Sequence, residues 1–152
     1  MGTTPSETAI PREDALERLR SARVGRLATV RPDGSPHVVP VVFVLVTEGE
    51  VVRAYWAIDH KPKRTRSLQR LANLEHDPRA ELVVDGYEED WSRLWWVRAG
   101  GRARTVLHDR ERSTALDALR GKYPQDERLA DDTVVVAIDL ERVTGWSAAG
   151  GG

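Results

Sequence analysis

The chain has 152 residues, 40% of them apolar and 31% charged, which is one domain's worth of sequence with enough apolar material for a single core and excludes a disordered or low-complexity chain. Twenty-three basic residues against 24 acidic ones leave a net charge of −1, too weak a field to gather nucleic acid or an anionic membrane except through local clustering. The absence of cysteine removes disulfides, thiolate nucleophiles and Cys-ligated metal centres, and fits a reducing, cytoplasmic location. The opening Met-Gly-Thr-Thr-Pro-Ser-Glu lacks the basic and apolar regions of a leader, and no apolar run reaches the ~18 residues of a membrane span.

Residues 1–9 read as a flexible start. Pro11 followed by Glu13 and Asp14 predicts a helix over 11–22, with Ala15, Leu16, Leu19 and Ala22 on its apolar face. Two β-rich runs, Val24 to Val30 and Val38 to Val46, flank Arg31-Pro-Asp-Gly-Ser-Pro36 and predict a hairpin. The second run is apolar on both faces, as in a strand buried on both sides or packed into an interface. Pro40 interrupts it and implies a sheet edge, a bulge or a ligand-facing position. Strand Val51 to Ile58 follows, then a helix from Arg64 to Leu74 stopped at Asp77-Pro78, and strands at Ala80 to Val84, Leu94 to Leu107 and Thr133 to Leu140. A helix from Asp109, its predicted cap, to about Lys122 separates the last two. Six strands and three helices with short connections argue for an antiparallel barrel with peripheral helices rather than a doubly wound sheet. The single domain spans 10–148, and 149–152 is a flexible tail.

The sequence holds no dinucleotide fingerprint, P-loop, nucleophile elbow or zincin motif, and its four histidines match no metal-ligand spacing. Standard nucleophilic hydrolysis and metalloproteolysis lose support, and no metal site is expected. Residues 60–70 carry five Lys or Arg and no acid. This segment is either a phosphate cradle, with Lys61, Lys63 and Arg66 as donors, or a solvated helix face. Trp91, Trp95 and Trp96 lie within six residues and could pack in the core, anchor an interface or wall a flat aromatic ligand. Being adjacent on a strand, Trp95 and Trp96 point to opposite faces, so at most one serves a given pocket. Asp85, Glu88, Glu89 and Asp90 read as a solvated loop, with a carboxylate latch to Arg93 or Arg98 as the alternative.

The string from Val24 to Val41, the segment from Lys61 to Arg79, and the pair Asp90-Trp-Ser-Arg-Leu-Trp-Trp-Val-Arg98 and Gly145-Trp-Ser147 occur in this order. Together they resemble the split β-barrel flavin-binding superfamily of pyridoxamine 5′-phosphate oxidase and its relatives, and within it an actinobacterial branch of probable coenzyme F420-dependent enzymes. The resemblance implies a mainly β (α+β), six-stranded antiparallel split β-barrel of Greek-key, FMN-binding type with peripheral helices. It implies a homodimer with a flavin or deazaflavin groove at the subunit interface. By position it places Lys61, Lys63 and Arg66 on the cofactor phosphate and Ala28, Thr29, Pro40 and Val41 along the ring. It also places Tyr55 and Trp56 near the ring, and Trp95 or Trp96 coming from the groove wall or the partner subunit. The chain ends without the Arg/His segment that grips the vitamer phosphate in true pyridoxamine phosphate oxidases, so vitamin B6 oxidation is not implied. The implied activity is hydride transfer from F420 to a small unsaturated or planar substrate, which needs no catalytic triad. His37 and Tyr55 are the nearest proton donors, with solvent as the alternative. FMN in place of F420, or a non-catalytic flavin- or haem-binding carrier or sensor, are the other implied readings.

Overall fold

A computed structural model describes residues 9–58, 71–126 and 129–149. Its elements are α1 (Arg12–Ser21), β1 (Gly25–Val30), β2 (Pro36–Val41), β3 (Val44–Glu48), β4 (Val51–Ile58), β5 (Arg79–Gly86), β6 (Trp95–Thr105), α2 (Asp109–Lys122) and β7 (Val134–Ser147). A 3₁₀ turn at Trp91–Arg93 precedes β6, and residues 71–76 are helical. The predicted Arg64 to Leu74 helix is therefore described only from residue 71, and Lys61, Lys63 and Arg66 lie outside the described residues.

The strands form one antiparallel sheet in the order β2-β1-β5-β6-β7-β4-β3, so the architecture is mainly β. There are seven strands rather than six, because the Val38 to Val46 run is two strands joined through Val42 and Phe43. The sheet is also not closed by a ladder. Its edges are β2 and β3, and only that two-residue joint links them. The sheet must therefore curl until its edges meet. Pro40 sits on edge strand β2, opposite Arg26 of β1, where a missing N–H costs no sheet hydrogen bond on the open side. Val38, 60% exposed, shows that this half of the run is not buried on both faces.

The concave face encloses the main core, with Leu27, Phe43, Trp56, Ile58, Leu82, Val97 and Ile138 among its members. Ile10, Ala15, Leu16 and Leu19 bring α1 onto this core, and Ala9 forms a bridge to Trp146. A second cluster lies on the convex face of β3, β4 and β7, where Ala115, Leu116 and Leu119 of α2 cover Val44, Tyr55, Val135 and Ala137. The convex face of β2, β1, β5, β6 and the distal half of β7 carries no helix among the described residues.

Helix α2 spans Asp109–Lys122 as predicted, but the residue before it is His108 in extended conformation with no side-chain cap bond. Asp109 is thus the first helical residue rather than the cap. Strand β7 runs seven residues beyond the predicted end at Leu140. A register shift between Gly100 and Gly101 places Leu140 opposite Gly101 and Arg142 opposite Gly100, leaving Glu141 as the extra residue. The bulge reverses which residues of β7 face the core, which is why simple alternation from Val134 loses the strand.

Candidate functional site

Cross-strand registers define what each face presents. On the convex, uncovered side one row runs Pro40, Arg26, Val83, Arg98 and Thr144 across β2, β1, β5, β6 and β7. The next row holds Val38, Ala28, Glu81, Gly100 and Arg142, and on the other side Asp85, Trp96 and Trp146 stand side by side. The surface combines small aliphatic groups, an indole pair and ordered guanidinium groups.

Its charges are paired across strands: Arg98 Nε lies 3.3 Å and Arg142 Nη2 3.5 Å from Glu81, and Arg26 lies 4.0 Å from Asp85. Arg98 also stacks on the Trp96 ring, 5.4 Å from its centroid. Gly100 leaves room for the Glu81 and Arg142 pair, because a Cβ there would stand 2.4 Å from Glu81 Oε2 and 2.7 Å from Arg142 Nη2.

Trp95 faces the other way. Its indole lies over Gly86, where a Cβ would meet Nε1 at 2.1 Å, and Arg18 of α1 stacks on it at 5.0 Å. It packs on the main core and borders a cleft of about 370 Å³ with Arg18, Arg23, Arg26 and Asp85. Trp91 is 67% exposed on the 3₁₀ turn, which Asp90 caps by accepting from the Ser92 N–H and Oγ. The acidic loop does latch, through Glu88 to Arg93 at 3.2 Å, an exposed contact worth little.

The ring-contact positions inferred from the resemblance separate into different environments. Ala28 and Pro40 lie on the uncovered face, whereas Thr29 and Val41 are buried on the concave side. Trp56 is in the core, and its indole N–H has no acceptor among the described residues. Tyr55 points outward beneath α2 and donates its hydroxyl to Glu111 at 2.7 Å. Among these residues, Ala28, Pro40 and Trp96 share one surface; Tyr55, Trp56 and Trp95 do not join it. His37 is half-buried opposite Thr29.

Tyr55 belongs to a charge network that the sequence did not reveal. Arg104 forks onto Glu111 at 2.9 and 2.8 Å and reaches Asp139 at 2.9 Å, while Arg53 bonds Asp139 at 2.8 Å and Glu48 at 3.0 Å. The Arg104 guanidinium holds both Glu111 and Asp139 below the ordinary carboxylate range, and burial raises the Tyr55 hydroxyl. A cleft of about 410 Å³ opens over this network. Its members come from β3, β4, β6, β7 and α2, so only the tertiary fold assembles them.

Among the described residues, no three His, Asp or Glu side chains converge as a metal site, and no helix is long and apolar enough to cross a membrane.

A curled sheet with one helix-covered and one bare convex half is the architecture of a split barrel. Residues 12–147 match the Pyridoxamine 5′-phosphate oxidase family, and the chain belongs to that family. It is similar to a conserved protein of unknown function from Corynebacterium diphtheriae, with 27% identity over 93% of this chain and 98% of that one and a TM-score of 0.70. It shares the fold of a FAD-binding protein from Mesorhizobium loti, at 23% identity over 90% and 94% of the two chains and a TM-score of 0.66. The haem storage protein HutZ of Vibrio cholerae has it too, at 20% identity over 90% and 97% and a TM-score of 0.65. No curated protein matches the chain.

Proposed function

We propose that the protein is an oxidoreductase that binds the deazaflavin coenzyme F420 and transfers hydride to a small unsaturated or planar substrate. The observation that carries this reading is the bare convex face, where Ala28, Val38, Pro40 and Val83 form an aliphatic bed close to Trp96 and Trp146. Such a bed fits a flat heteroaromatic ring. Small side chains allow close approach, the indoles supply stacking surface, and Arg98 and Arg26 supply donors for ring carbonyls. The bound coenzyme would supply two-electron hydride chemistry, leaving the chain to bind and orient it.

Lys61, Lys63 and Arg66 are assigned to the cofactor phosphate by family position. Trp96, not Trp95, is assigned to the ring, because Trp95 is held against Gly86 and Arg18. Tyr55 has its hydroxyl committed to Glu111 beneath α2, so proton delivery to product falls to solvent or His37. A second copy would cover the bare face and complete the groove, making the working unit a homodimer. Val38 at 60% exposure on that face supports such burial.

FMN is the alternative cofactor. A flavin or haem carrier without turnover is the second reading, favoured by the shared fold of the FAD-binding and haem storage proteins. Fluorescence titration of apoprotein with F420 and, separately, FMN tests the assignment. Selective F420 binding with acceptor reduction supports the reductase. FMN-only binding moves it to flavin chemistry, and tight binding without turnover makes it a carrier. Binding of neither overturns the cofactor assignment.

A further inference from the structure

The charge network beside the start of α2 contains a guanidinium whose donors are not all engaged. An arginine carries five N–H donors. Arg53 gives Nε to Asp139 and Nη1 to Glu48, so the rest, including both on Nη2, have no acceptor among the described residues. Its side chain is only 26% exposed, and it opens on the cleft of about 410 Å³. Arg110, in the first turn of α2, and His108, just before the helix, line the same cleft, and neither side chain has a partner among the described residues. Glu48 is the loosely held member. It ends β3, its side chain is 79% exposed, and its ion pair is with Arg53, a contact worth little in water. With Glu48 swung out, Arg53, Arg104 and Arg110 face only Glu111 and Asp139, and the cleft becomes cationic. Glu48 thus occupies a place that another oxyanion can take.

We propose that this cleft is a binding site for a small phosphate monoester, which displaces Glu48 from Arg53. The free donors come from β4, from the residue before α2 and from α2 itself. Three separate origins suit the tetrahedral oxygens of a phosphate better than the two coplanar oxygens of a carboxylate. The phosphate accepts from Arg53, Arg110 and His108, while Arg104 stays engaged with Glu111 and Asp139. Val46 and Thr114 also line the cleft, and its volume leaves room for a small organic portion beside the phosphate. The site lies on the half of the sheet that α2 covers, not on the bare face, so it does not depend on the cofactor assignment.

The test is an NMR titration of the isotope-labelled full chain with inorganic phosphate, and separately with phenyl phosphate, against sodium chloride at matched ionic strength. The Arg53 Nε–H and the backbone amides of Arg110 and Glu111 should shift saturably at millimolar phosphate and not with chloride, and phenyl phosphate should bind more tightly than phosphate. Glu48→Gln, which removes the competing carboxylate, should tighten binding about threefold, and Arg110→Gln should weaken it about fivefold, the scale of one partly solvated charged contact. The response should persist in the variant carrying Lys61→Ala, Lys63→Ala and Arg66→Ala, which separates this cleft from the phosphate position assigned to the cofactor. Shifts equal to those in chloride, phenyl phosphate binding no tighter than phosphate, no gain from Glu48→Gln, no loss from Arg110→Gln, or a response lost in the triple variant overturns the proposal.

Discussion

Trp96 stands directly across from Trp146 on the bare convex face, while its neighbour Trp95 turns inward onto Gly86. Two adjacent tryptophans thus have separable roles. Trp96→Ala should weaken cofactor binding by about tenfold, the scale of one lost aromatic contact, with little change in melting temperature. Trp95→Ala should cost about 2 kcal/mol of stability, less than a fully buried tryptophan because it is only half-buried. Fluorescence titration and chemical denaturation of both variants check the division.

Gly86→Ala places a methyl where the Trp95 indole lies. The expected loss is about 1–3 kcal/mol from overpacking. In the Trp95→Ala background the same change should cost much less, because the clash is gone. A double-mutant cycle by urea denaturation measures the difference, and additive losses would place the strain elsewhere.

Glu111 anchors α2 to the sheet through Arg104 and Tyr55. Glu111→Gln should destabilise by about 1–2 kcal/mol, discounted because Arg104 is partly solvated. The pH response has a definite sign. Glu111 and Asp139 titrate below their ordinary values of 4.5 and 3.8 when folded. The unfolded chain therefore takes up protons first, and their stabilisation, full above about pH 5, is lost as pH falls through the folded values. The Glu111→Gln variant should show a shallower loss between about pH 5 and 3 in denaturation series.

The β2 and β3 joint has its own polar anchor. The Tyr123 hydroxyl accepts from the Phe43 N–H at 3.2 Å and lies 2.9 and 3.0 Å from the carbonyls of Phe43 and Arg23. Tyr123→Phe would leave the buried N–H without that acceptor, a loss of about 1–3 kcal/mol. Hydrogen exchange at Phe43 should accelerate more than at Leu27 in mid-strand β1, which a uniform loss of stability would not produce.

Much of the fold was legible because its signals are local. Gly34 in the hairpin turn has φ +87° and Asp33 accepts from the Ser35 N–H, as the Pro-Asp-Gly pattern dictates. Val51–Ile58 and Asp109–Lys122 appear at their predicted bounds. The break at Val42 and Phe43 was not legible, since an apolar run carries no mark of where one strand leaves one sheet edge for the other. Nor was the end of β7, where the bulge at Glu141 shifts the alternation. For the site, adjacency on β6 was enough to separate Trp95 from Trp96. Pairing Trp96 with Trp146, or assembling Arg53, Arg104, Glu111 and Asp139, needed the register between strands distant in sequence.

Strand β7 is the last described strand along the chain, yet it lies between β6 and β4. During synthesis, β1, β2, β5 and β6 can pair as they emerge, and so can β3 with β4, but the two groups share no ladder until β7 leaves the ribosome. Until then the facing edges of β6 and β4 are both open. The nascent protein therefore passes through a stage with two unprotected pairing edges besides β2 and β3, the condition under which chaperone capture or strand exchange with another copy competes with folding.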